Sequence, residues 1–501
     1  MAPTVPTPDL DRLTASQAIA DVRAGRCTAQ ALVAACLARI DRHNPALNAL
    51  IALRRDAALM QAAQIDDLLR RGQATGPLLG LPMSIKDSFA TADLPTTASF
   101  APLRHYRPPA DATVVARLRA AGAIVLGKSH LPELAGAPHG WSRLFGLTRN
   151  PWDLECTPGG SSSGAAVAVA TGMSLLDIGS DIGGSIRIPA AYCGIAGLKA
   201  TENRIPRTGH IPHLPTALGG RGRSVWHLLS FGLLGRCVAD LHLAYAVMAG
   251  PDGADTTVPP FTPPQPLDVA RAAFDRPLRI ALWDDFAGLP LCPRTRRALS
   301  RFAQRLANAG HQVTRTGPAD FDVRAAWQAY GHIAGAEIGL GLPRWQRAAF
   351  RSMAWLLPAE QPIARAMAQG MALDFGRYNG ALNTRETLIA ALDRFLAPWD
   401  VVLCPVAPTA PYRGQPMPAH KPPPHIAVGE QSLPYFEATV SMAIPFSLTG
   451  HPVVVLPLGP EDGLPVGIQV LGKRWGEEAL LGASACLERI AGGFTAPPLQ
   501  S

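Results

Sequence analysis

The stretch SDIGGSIRIPA, Ser180 to Ala190, constrains this chain more than any other. Two glycines precede a serine directly after an apolar segment, and a proline follows at 189. A linker would be more polar, and the interior of a central strand would not tolerate paired glycines. A backbone that must approach something closely would use them. Gly-Gly-Ser can be an ordinary tight turn. The alternative is chemical. Successive N–H groups freed by the glycines can converge on one point and hold a negative oxygen beside the serine hydroxyl.

The remainder of the chain bounds the fold that carries this loop. With 501 residues, 48% hydrophobic and 17% charged, there is ample material for a large core. The first residues, MAPTVPTPDLDRL, lack the basic and apolar regions of a signal peptide. No apolar run reaches the roughly 20 residues of a membrane helix. The net charge of +8 comes from scattered arginines rather than a basic block, so nucleic acid is not the expected partner. Eight widely spaced cysteines form no CxxC and read as free thiols in a reducing, cytoplasmic compartment.

Periodicity gives the elements. Residues 16–42 read as helical, with Thr28 able to N-cap a run whose stripe is Leu32, Val33, Cys36, Leu37 and Ile40. A second amphipathic helix covers 54–71 and ends at Gly72. A helix at 111–121 leads into the strand AIVLG. RIALW, the helix 292–310 and HQVTRT make a β-α-β unit, the pattern of parallel sheets. VVLCP (401–405), VVVLPLG (453–459) and GIQVLG (467–472) read as buried strands. Residues 406–435, rich in proline and histidine, read as a surface loop, and 250–277 as an excursion between two halves of one sheet.

Three motif matches fail on context. GAIVLGKS (122–129) fits the P-loop pattern, but Ala, Ile, Val and Leu belong to the strand and leave no loop to wrap phosphate. GSSSG (160–164) fits the nucleophile elbow, but NPWDLECTPG upstream is a turn, not the required strand. HIPH (210–213) has no further ligand at metal spacing.

Lysine usage carries more. Of the 46 basic residues five are lysines (86, 128, 199, 421 and 473), which leaves 41 arginines. Arginine cannot lose its proton in a protein, whereas a desolvated lysine can. Lys86, in the apolar segment GLPMSIKDSF, is thus a candidate general base, with a structural ion pair to Asp87 as the competing reading. No histidine lies near the serines of GSSSG or Ser185 in sequence, so a serine–lysine arrangement is the economical one.

GLPMSIKDSF, GAIVLGKSHLPEL, LTRNPWD, GGSSSGAAVAVATGM, SDIGGSIRIPAAYCGIAGLKAT and IPFSLTGHPVVVLPLG, in this order, strongly resemble the amidase signature family over residues 14–490. The resemblance implies an α/β fold: a single large domain with a mixed, mostly parallel twisted central sheet covered by helices. It divides the chain into an N-terminal helical segment, 1–75, and the signature domain, 76–501. It further implies hydrolysis of a carboxylic amide by a Ser-cisSer-Lys triad. Ser185 would be the nucleophile, Ser161 the bridging serine after a cis peptide, and Lys86 the base. The N–H groups of Ile182, Gly183, Gly184 and Ser185 would hold the oxyanion, braced by Asp181 and Arg187. Variable segments line the family's substrate pocket; here Met83, Ser162 and the stretch from His139 to Phe145 are expected there, with parts of 325–380 and 411–440. The expected partner is a small-molecule amide, with no metal, cofactor, nucleic acid or membrane, and a homodimer is left open. The family's alternatives are a component like the A subunit of the tRNA amidotransferase and a degenerate, non-catalytic scaffold. That amidotransferase component typically carries an acid shortly before its VPANLAGLP-like segment. Val440 occupies that position here, which favours a free-standing amidase.

Overall fold

The computed structural model describes residues 8–211, 224–418 and 423–499. Its frame is one sheet, with eleven strands among the described residues. From edge to edge the strands are Leu50–Leu53, Ile124–Ser129, Pro82–Lys86, Asp177–Asp181, Ser230–Gly235, Ala196–Lys199, Val453–Glu461, Leu464–Leu471, Val401–Pro405, Arg279–Leu282 and Gln312–Arg315. The sheet is mixed. Its parallel pairings fall in two blocks, one around Pro82–Lys86 and one around Arg279–Leu282. The second block contains the expected β-α-β unit, with helix Pro293–Asn308 as the crossover. Between the blocks the strands alternate in direction. One of these antiparallel pairs, Val453–Glu461 with Leu464–Leu471, is joined by a tight turn; the others are joined by longer stretches of chain.

The strand Ile124–Ser129 runs through Gly127, Lys128 and Ser129, so the P-loop look-alike has no loop. Of HIPH, His210 packs between Phe89 and Phe231, with ring centroids 4.7 and 4.6 Å away; His213 and Lys421 lie outside the described residues. No cluster that could hold a metal ion, and no helix long and apolar enough to cross a membrane, is found among the described residues.

Near the N-terminus the expected single helix is two, Ala15–Arg23 and Ala29–Leu47. Gly25, at φ +68°, turns the chain between them, and Thr28 caps the second by accepting from the Ala31 N–H at 3.0 Å. Residues 50–53 then form the sheet's edge strand, so this segment shares the central sheet. The buried Arg236 fastens it further, donating to the carbonyls of Leu10 at 2.6 Å and Leu13 at 2.9 Å.

The stretch expected as a surface loop, 406–435, differs. Val406, Ala407, Thr409 and Ala410 are buried, and His425–Val428 pairs with Gln431–Pro434 as a hairpin. Gly429, at φ +65°, opens its two-residue turn. Ile426 and Val428 close over Tyr435 and Ala438 as a small satellite core. In 250–277 a short helix, Leu267–Ala272, packs against Glu477–Ala491.

Candidate active site

Two neighbouring strands and one helix bring the site together. Pro82–Lys86 and Asp177–Asp181 pair in parallel, and helix Ser163–Thr171 packs against both with all nine residues buried. Its alanines, valines and leading serine and glycine are small enough to let it run through the interior. The segment Thr157–Ser162 therefore ends at the open end of Lys86's strand.

Lys86 is wholly buried. Its Nζ donates to Ser161 Oγ at 2.8 Å and Ser162 Oγ at 2.9 Å, and it also meets Ser180 Oγ at 3.1 Å and the Ser180 carbonyl at 3.3 Å. These partners are neutral. Burial pushes the amine down to about 7, against an opposing pull from Asp181 and Asp177. Burial also raises Asp177 to about 7, even though Ser84 Oγ donates to it at 2.5 Å. A carboxyl that gains a proton so easily is a weak counter-ion, which helps the amine stay neutral.

Asp87 belongs elsewhere. It lies 3.5 Å from Lys128 Nζ and accepts from Thr97 Oγ1 at 2.5 Å. The structural ion pair foreseen for Lys86 is thus made by Lys128, which also donates to the Phe89 carbonyl and the Thr91 and Thr96 hydroxyls. Lys199, the third buried lysine, donates to the carbonyls of His451 at 2.7 Å and Ala200 at 3.3 Å.

The Gly160–Ser161 peptide is cis. A Cβ on Gly160 would collide with the His139 carbonyl, so a residue with a side chain could not bring this turn so close to the 139 loop. The turn is fixed to the second loop by one backbone contact, the Ser162 N–H donating to the Ser185 carbonyl at 3.1 Å. Ser185 is partly exposed, and its hydroxyl makes no hydrogen bond to another described residue.

The loop itself is wound around a carboxylate. Asp181 Oδ1 accepts from the Gly184 N–H at 2.8 Å, and Oδ2 from those of Ile186 at 3.0 Å and Arg187 at 3.4 Å. Gly184 permits this at φ +116°. Gly184 is thereby the exception in the expected oxyanion set: its N–H is spent on Asp181. Those of Ile182, Gly183 and Ser185 donate to no described backbone or side chain.

Arg187 ties the loop to distant segments. It is fully buried, pairs with Asp181 at 2.9 Å, and donates to the Ala443 carbonyl at 2.7 Å, Gln469 Oε1 at 2.9 Å and Ser447 Oγ at 2.6 Å. The arginine, the hydrogen bonds of the loop amides and the field of Lys199 outweigh burial and hold the Asp181 carboxyl well below the usual carboxylate range.

The expected pocket residues fare unevenly. His139 is half-buried beside the cis turn, its ring 6.4 Å from Trp141 and 6.5 Å from Tyr435, and burial pushes its imidazole down to about 4. Met83 is fully buried in the main core rather than in a pocket. It lies three residues from Lys86 on one strand, out of phase with it. Ser162 is also fully buried and serves Lys86. Sequence reasoning missed Ser180 and Asp177 as neighbours of the amine, though both flank residues already singled out. Tyr330, on helix Val323–Gly339, falls within the 325–380 span expected near the pocket but was not singled out; its hydroxyl lies 2.6 Å from where a Gly183 Cβ would stand. Burial raises this phenol well above its ordinary value, so it keeps its proton and can donate a hydrogen bond at any working pH. Only the packing of that helix over the loop reveals it.

A turn holding an amine lowered to about 7 against a serine, beside a loop with three free amides and a second serine, can perform acyl transfer. Comparisons with known proteins agree with that chemistry. The family model described as Amidase matches residues 31–481. The chain is 33% identical over 508 residues to the A subunit of the Glutamyl-tRNA(Gln) amidotransferase of Chloroflexus aggregans, covering 98% of this chain and 99% of that one. Among solved structures, a protein described with a vestigial complex and the evolutionary origins of an s-triazine catabolic enzyme superposes with TM-score 0.80 at 28% identity, over 97% of this chain and all of that one. The peptide amidase of Stenotrophomonas maltophilia gives 0.77 at 27% identity, over 99% of this chain and all of that one.

Proposed function

The chain belongs to the amidase family, and from that premise we propose that it hydrolyses a carboxylic amide to an acid and ammonia or an amine through an acyl-enzyme on Ser185. Ser185 attacks the carbonyl carbon while Ser161 takes its proton and passes one on to neutral Lys86. The carbonyl oxygen, now negative, is held by the N–H groups of Ile182, Gly183 and Ser185. Lys86 and Ser161 then return a proton to the departing nitrogen. Water, activated by the same relay, releases the acid and restores Ser185.

The observation that carries this reading is the 2.8 Å bond between a buried lysine amine and Ser161, away from any paired carboxylate. The link from Ser161 to Ser185 is the part that substrate has to close, since catalytic hydrogen bonds tighten in the substrate complex. Removing one oxyanion donor typically costs about 3 kcal/mol of transition-state stabilisation, so the three free amides weigh as much as the relay. Residues 76–501 form the catalytic unit in this proposal, and residues 1–75 pack on it as a structural segment.

Two measurements test it together. A panel of aliphatic, aromatic and peptide amides is assayed for ammonia release, and the protein is treated with a fluorophosphonate probe. Ser185→Ala should abolish both turnover and labelling; an alanine variant that still labels would make Ser185 the wrong nucleophile. The degenerate-scaffold alternative predicts no turnover with any amide.

The names of relatives such as the Chloroflexus protein support a second reading, an amidotransferase component that draws ammonia from glutamine. Val440, buried at the position where such a component carries its acid, argues against it. Glutamine hydrolysed better than the whole amide panel would favour the second reading.

A further inference from the structure

After Tyr330's helix ends at Gly339, the chain enters a segment that the rest of the protein leaves uncovered. Helix Arg344–Met353 packs against Pro362–Gly370 yet buries none of its own residues. Trp345 is 71% exposed, Trp355 77% and Leu356 82%, and Leu340, Phe350 and Met353 are exposed beside them in sequence. Single exposed hydrophobics need no explanation, but a run of six large ones does. The helix is also sided. Arg344, Arg347 and Arg351 recur at i, i+3 and i+7 on one face, and Trp345, Ala349 and Met353 at i, i+4 and i+8 on another. No acidic residue occurs from 338 to 359.

From this pairing of an uncovered apolar face with an acid-free arginine face, we propose that the segment 340–356 docks on an anionic phospholipid surface. Tryptophan rings suit the headgroup level, arginines pair with lipid phosphates, and a helix this short lies in the interface rather than crossing it. Charge decides the occupant. A two-fold contact with a second copy would set the same arginines against each other across the interface, which like charges oppose. A surface of phosphates complements them. The N-terminal helices bury their apolar stripes and take no part.

The test uses the full chain and needs no turnover, so it is independent of the proposed hydrolysis. Protein is sedimented with vesicles of phosphatidylglycerol and phosphatidylcholine in equal parts, and with vesicles of phosphatidylcholine alone. The chain should sediment with the mixed vesicles, and binding should weaken as salt is raised. Trp345→Ser/Trp355→Ser and Arg344→Glu/Arg351→Glu should each weaken binding roughly tenfold or more, with unchanged circular dichroism because all four residues are exposed. The proposal is overturned by equal sedimentation with both vesicle types, by none with either, or by variants that bind like the parent. It is overturned equally by a solution dimer that the tryptophan variant dissociates, which would make a second copy the occupant.

Discussion

Replacing Lys86 with methionine separates a base from a structural lysine, because the two readings move stability in opposite directions. In the folded protein burial brings the amine from 10.5 down to about 7. At ~1.4 kcal/mol per pH unit, that displacement corresponds to a burden of roughly 5 kcal/mol. Below pH 7 the lysine is charged in both folded and unfolded chains, so the folded state bears the whole burden. As the pH rises from 7 towards 10.5, the folded protein loses its proton before the unfolded chain does. The burden shrinks and is gone above 10.5. Lys86→Met removes it at every pH but leaves three serine hydroxyls short of a partner, at about 1 kcal/mol each. The variant should therefore be more stable than the parent by roughly 2 kcal/mol at pH 6, and this advantage should vanish and reverse at high pH. Its rate of ammonia release should fall roughly 10²–10⁴-fold, the usual contribution of a general base. The parent's kcat/KM should rise with pH up to about 7 and then level off, since only the neutral amine accepts a proton. Urea unfolding of both proteins at pH 6 and pH 9, beside a pH–rate profile, decides the matter. A methionine variant strongly destabilised at pH 6, or a parent rate flat from pH 5 to 8, would refute the reasoning.

Two more substitutions probe the loop. Tyr330→Phe removes only the hydroxyl over Gly183 and should lower kcat/KM about tenfold, with an unchanged melting temperature, if that phenol donates to bound substrate; an unchanged kcat/KM would assign it to packing. Arg187→Met leaves Asp181 buried without its cation and should cost about 3–5 kcal/mol in urea unfolding, while Arg187→Lys should recover only part, because an ammonium cannot span all four acceptors.

Much of the fold was legible because local rules were obeyed. VVLCP is a strand at the expected residues, Thr28 caps its helix, and the P-loop match failed for the reason that strand composition supplies. Lys86 was legible through unusual residue choice, few lysines and one of them in an apolar strand, whereas Ser161 as its partner came only from the family resemblance. The alternation of a strand could have supplied two corrections. Lys86 and Asp87 are consecutive, so they face opposite ways, and Met83 lies out of phase with Lys86. Other features depend on distant packing. Tyr330 meets Gly183 only because helix Val323–Gly339 crosses the loop, and Gly184 is unavailable only because Asp181 takes its N–H. The hairpin at 425–434 was hidden by neighbouring prolines, although Gly429 and the alternating burial around Ile426 and Val428 mark it.

The four-way grip of Arg187 has a kinetic corollary. Its partners sit in Asp181, Ala443, Ser447 and Gln469, segments that meet only when the sheet is whole. The loop therefore has no cheap way to fray on its own, and the Gly184, Ile186 and Arg187 amides that Asp181 holds should exchange with deuterium as slowly as those of the innermost strands, unlike the mobile lids that open independently in many enzymes. In the proposed mechanism substrate would then find Ser185 already in place, and any gating of turnover would fall to segments other than this one.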